Sequence, residues 1–110
     1  MIESDVYNAL KTLGYPIYPL TFPEGSEFPL LLYSVVTTTK EQPINKQDFI
    51  QTKKVFRVDI FAESYKDIKQ IVEDACNVLK SLKARSFNIV ELYEDEAKLY
   101  RETIEFEILI

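Results

Sequence analysis

The chain has 110 residues, 46% of them hydrophobic and 28% charged, with a net charge of −5. That length suits one domain and one core without staples. The acidic balance argues against general affinity for DNA or RNA, which rests on clustered Lys and Arg. With no histidine, one cysteine and two glycines, a single chain cannot build a Ser-His-Asp or Cys-His site, a Cys/His zinc site, an internal disulfide or a glycine-rich phosphate loop.

No apolar run approaches the roughly 20 residues of a membrane span, so no membrane partner is expected. The opening MIESDVYNAL carries acids and lacks the basic start and apolar core of a signal peptide. The expectation is a protein made and kept in a cytoplasm. Residues 3–13 read as a short helix with Val6, Leu10 and Leu13 on its apolar side, Gly14 as its C′ residue and Pro16 preventing continuation. Four of the five prolines fall in YPIYPLTFPEGSEFP, residues 15–29. Ile17 and Tyr18 there fit a short edge strand, where proline is tolerated, and Glu24-Gly25 fits a turn.

Pro29 opens a strand, LLLYSVVTTTK, apolar on both faces from Leu30 to Val36. Residues 41–48, EQPINKQD, are polar, and strand character resumes at Phe49. These two strands form a long hairpin whose outer half, about residues 38 to 54, has little to bury. It reads as a projecting arm that a partner orders, or as a floppy tip. Phe49 and Ile50 in that polar stretch favour a contact arm.

The central stretch VFRVDIFAESYKDIKQIVEDACNVLKSL, residues 55–82, switches period. Phe56, Val58 and Ile60 alternate with Arg57 and Asp59, a strand with one buried face. Ser64 fits an N-cap with Asp67 three residues on. Ile68, Ile71, Val72, Ala75, Leu79 and Leu82 then recur at helical spacing. Cys76, beside that stripe, reads as a small buried hydrophobe. FNIVELY (residues 87–93) is the next strand, EDEAK an acidic turn, and LYRETIEFEILI the last strand. Tyr100, Ile104, Phe106, Ile108 and Ile110 mark its ends and its buried face; Arg101, Thr103, Glu105 and Glu107 lie on the other, with Glu102 also polar.

The order α-(β)-β-β-α-β-β implies an α+β fold, an antiparallel sheet of about four strands with helices on one face, in one domain spanning 1–110. The other face, with Arg57, Asp59, Glu105 and Glu107, reads as exposed, either wet or covered by a neighbouring subunit. Glu91, Glu94, Asp95 and Glu96 do not match a calcium loop, and a charge run at a turn is ordinarily solvated. The aromatics are scattered among acids rather than set on adjacent strands with basic residues, unlike an RNA-binding sheet. No cofactor and no catalytic role is expected. Two other readings stay open: a ferredoxin-like ligand-binding or regulatory module, and a carboxylate-dependent enzyme.

Three stretches in this order resemble the tail-completion or tail-terminator proteins of long-tailed bacteriophages, the family related to the minor tail protein U of lambdoid phages. They are FPLLLYSVV, VFRVDIFAESYKDIKQIVEDACNVL and ELYEDEAKLYRETIEFEI, spanning about Phe28 to the C-terminus. The resemblance implies structural work in a virion: a ring, commonly a hexamer, at the head-proximal end of the tail tube, assembled in the host cytoplasm. Its implied partners are copies of itself, the tail tube protein and the head-tail connector protein, with DNA passing through unheld. An acidic subunit can line such a pore because like charges repel. Ring closure needs two different complementary patches. The candidates are the arm (Lys40, Gln42, Asn45, Lys46, Gln51, Lys53) and the open sheet face (Arg57, Asp59, Arg101, Glu105).

Overall fold

The period-2 run at the centre of the chain becomes the middle strand of a five-stranded sheet. The computed structural model describes residues 2–41 and 51–110, with side chains for 2–40 and 52–110. The elements are α1 (Ile2–Lys11), β1 (Ile17–Pro19), β2 (Leu30–Glu41), β3 (Gln51–Ala62), α2 (Tyr65–Lys80), β4 (Arg85–Glu94) and β5 (Leu99–Leu109). The tip of the expected arm, residues 42–50, lies outside the described residues. No helix is long and apolar enough to cross a membrane among the described residues.

Strand order is β1-β2-β3-β5-β4. The pairs β2-β3, β3-β5 and β5-β4 are antiparallel, while β1 runs parallel to β2 with Ile17 opposite Leu31. The fold is α+β as expected, but the sheet is mixed and has one strand more than the two hairpins alone supply. The physical reason lies in the proline-rich loop. Between β1 and β2 the chain crosses the open face, placing Phe22, Phe28 and Tyr18 against Leu30, Leu32, Phe61 and Leu99. This second apolar cluster explains why the start of β2 is apolar on both faces. Leu31 faces the helices, and its neighbours face the loop.

The main core lies between sheet and helices. Phe56, Val58, Ile60 and Ala62 of β3 and Ile104, Phe106 and Ile108 of β5 pack under Val6 and Leu10 of α1 and Ile68, Ile71, Val72, Ala75 and Leu79 of α2. Ser64 caps α2 as its spacing implies, its hydroxyl accepting from the Asp67 amide at 3.4 Å. The helix ends at Ser81, and Leu82 packs against the core from beyond it. Gly14 has φ +87°, the left-handed conformation that follows a helix end and favours glycine.

At the centre, the Phe56 and Phe106 rings stack at 5.5 Å with 11° between planes, and Phe87 of β4 lies 5.8 Å from Phe106. Removing a ring from such a site leaves a cavity as well as lost burial. Phe106→Ala should therefore lower the unfolding free energy in urea by about 3–5 kcal/mol. A loss below about 1 kcal/mol would contradict this stack as the centre of the core.

Candidate assembly surfaces

Register fixes which charges meet. Arg57 sits opposite Glu105 and Asp59 opposite Thr103 across β3-β5, all on the face turned away from the helices. Arg57 donates to Glu105 at 2.9 Å, and the bond holds its guanidinium above the ordinary arginine range. Asp59 accepts from the Thr103 hydroxyl at 2.6 Å and from Arg101 at 3.3 Å. Arg101 also reaches Glu94 at 3.2 Å and lies 5.3 Å above the Phe61 ring. Glu107 receives Arg85 at 2.9 Å and stands 4.0 Å from Lys53.

The structure thus brings together the open-face candidates Arg57, Asp59, Arg101 and Glu105. It corrects one of them: Asp59 was expected on an exposed face, yet it is 8% exposed. The long side chain of Arg101, one strand away, covers it. A buried carboxylate with two internal donors is a fixture of the sheet rather than a free contact charge. Of the arm candidates, Lys40 is exposed near the end of β2. Lys53 is half-buried, and Gln51 pairs with Glu41 through the backbone. Gln42, Asn45 and Lys46 lie outside the described residues. The base of the hairpin is tied into the body, because Lys53 and Lys54 pair with Leu109 and Ile108 of β5 and Lys54 binds Glu3 of α1.

On the helix side a second charge cluster forms. Glu102 alternates with Ile104, Phe106 and Ile108, so its parity aims it under α2, where it is 2% exposed. Its partner is Lys69, whose Nζ lies 3.3 Å from Glu102 and 2.7 Å from Glu91. Tyr65 donates to Glu91 at 3.0 Å. Burial pushes the Glu102 carboxyl above the usual carboxylate range, with Lys69 opposing. Lys69 is held above the ordinary ammonium range by Glu91 first and Glu102 second, and Glu91 is lowered by Lys69 and then Tyr65. Cys76 is half-buried, and burial raises its thiol, which leaves little thiolate for chemistry.

Elsewhere, an open cleft of about 570 Å³ has an apolar floor of Phe22, Phe61 and Leu99 and a rim of Glu94, Asp95 and Glu96. No grouping of three potential metal ligands occurs among the described residues.

The sequence reading found the strand FNIVELY but not its place at the outer edge of the sheet. β4 is at the sheet edge, and Ile89, Val90, Leu92 and Tyr93 are 44–49% exposed. A signal was present. FNIVELY is apolar on both faces, the pattern of a central strand, yet it occupies an edge.

No family model and no curated protein matches the chain. Solved structures do. A chain from the virion of a native gene transfer agent particle superposes with a TM-score of 0.58 at 12% identity, over 94% of this chain and 90% of that one. A pyrrolysyl tRNA synthetase of Desulfitobacterium hafniense superposes with a TM-score of 0.51 at 10% identity. That match takes in 96% of this chain and 64% of the synthetase chain, so this chain spans less than two-thirds of it. At these identities the likeness is one of fold.

The buried Glu102 gives a signed pH test. Its folded-state pKa is raised, so its favourable contribution is complete below the ordinary carboxylate range and is lost as pH rises through the folded value. Glu102→Gln keeps the shape and removes the buried charge. In urea unfolding at pH 7 the variant should be more stable than wild type, and the gap should close as pH falls to about 4. A variant equally destabilised at both pH values would contradict burial as the dominant influence on Glu102.

Proposed function

We propose that this chain is a structural protein of a phage or phage-like virion, and within it a tail terminator. In this reading copies form a ring, a hexamer by the family resemblance, on the head-proximal end of the tail tube. The ring stops tube growth and offers a surface to the head-tail connector, while DNA passes through its centre.

The observation that carries the reading is the mutual coverage with the gene transfer agent chain. Fold likeness alone does not choose a function, because a synthetase shares it. The synthetase chain, however, has a third of its length outside the match, whereas the virion chain is nearly all this fold. A neighbour that is nearly all this fold supports a structural role for it better than one in which the fold is part of a larger enzyme supports a catalytic one. The three sequence stretches that resemble tail terminators point the same way. The net charge of −5 suits a pore that DNA crosses without being held. The arm and the open sheet face are the surfaces proposed to meet neighbouring subunits, tube and connector. On the open face Arg57 and Glu105 are the more accessible pair, with Asp59 fixing the position of Arg101.

Removing the gene from the genome that encodes it tests this directly. Electron microscopy should then show tail tubes of uncontrolled length without heads attached. Particles of normal length with heads joined would contradict the terminator reading.

A further inference from the structure

The edges of the sheet carry more information than its faces. β4 has ten residues, and nothing among the described residues pairs with its outer side. Its one irregularity, a register shift between Arg85 and Asn88 with Ser86 at φ 59°, lies at its start. From Asn88 to Glu94 the strand is regular. Natural proteins ordinarily blunt such an edge with shortness, bulges or charge. Here Ile89 and Tyr93 stand on the helix side and Val90 and Leu92 on the open side, each about half exposed. They leave apolar surface exposed on both sides of this edge.

The opposite edge is open too. β1 covers β2 only at Leu31, Leu32 and Tyr33. From Ser34 to Lys40 no described residue pairs with the outer side of β2, and Val35 and Val36 are 38% and 43% exposed. Three antiparallel steps separate β2 from β4, so the two edges run in opposite directions. Ser34 stands level with Arg57, Glu105 and Asn88 across the sheet, so a second copy moved sideways and also along the strands, without being turned over, sets the free stretch of its β2 antiparallel to β4.

The two stretches, 34–40 and 88–94, are similar in length, with one bulge in β2 at Val36. Charge does not oppose the pairing: β4 carries Glu91 and Glu94, while β2 from Ser34 to Lys40 has no acid. Pairing two β4 strands with each other would instead bring two Glu91 carboxylates close together, which is unfavourable across a strand pair.

We infer that β4 of one copy pairs antiparallel with the free edge of β2 of the next, at Ser34 to Lys40, continuing the sheet from subunit to subunit. Each contact then joins two different edges, one from each copy, as a ring or a filament requires. The inference rests on the proposed ring and names its contact.

Light scattering after size exclusion on the full chain tests it, with Leu92→Lys blocking the β4 edge and Val36→Glu blocking the β2 edge. Both sites are exposed, and circular dichroism checks that each variant is folded. Wild type should form species larger than a dimer in a concentration series. Each variant alone should associate at least tenfold more weakly and run as a monomer. An equimolar mixture should give a dimer, since the intact β2 edge of the first variant meets the intact β4 edge of the second. If Val36→Glu alone still dimerises and Leu92→Lys does not, β4 pairs with itself and the inference fails. If both variants keep the wild-type mass, or wild type stays monomeric at every concentration, this contact is wrong. The tail-length phenotype of gene removal remains the separate test of the terminator reading.

Discussion

The burial of one face of β3 beneath α2 is the constraint on which the rest of this molecule depends. Phe56, Val58 and Ile60 are fully enclosed, which fixes the register of β3 because a slip of one residue would turn all of them to the opposite face. That register determines where the polar alternates land. Arg57 meets Glu105, and Asp59 meets Thr103 and Arg101. The charged ladder on the open face is thus a consequence of the apolar one beneath it. The same parity carried into β5 places Glu102 under the helix, where Lys69 must accompany it.

How far the sequence disclosed this depends on what kind of signal each element carried. The β3-α2 unit was legible because two periods meet at a capping serine, and both patterns are long enough to count. The last strand was legible for the same reason, and its parity already assigned Glu102 to the buried face. Reading that residue merely as polar overlooked it. β1 was expected as a short edge strand at Ile17 and Tyr18 and is one, but its parallel pairing was not readable, because it depends on a loop whose path follows from tertiary contacts. The burial of Asp59 was hidden because its cover, Arg101, comes from 42 residues away. The open edge of β4 was half visible. Its two-sided apolar pattern could be read, but only the strand order shows that no neighbour among the described residues covers it.

For function the same division holds. Absence of histidine removes many catalytic arrangements by composition, and the carboxylates beside the cleft form no clear constellation among the described residues. What the molecule does offer is surface: a sheet with two edges of opposite direction left open among the described residues, and a hairpin whose base is anchored by β5 and α1. The fold itself is shared with a gene transfer agent virion chain over nearly the full length of both.

The most direct measurement is the position of this chain in an assembled particle, by electron microscopy with an antibody raised against it. The account predicts a single cluster of label at the junction of head and tail tube. Label spread along the tube, spread over the head, or missing from intact particles would contradict it.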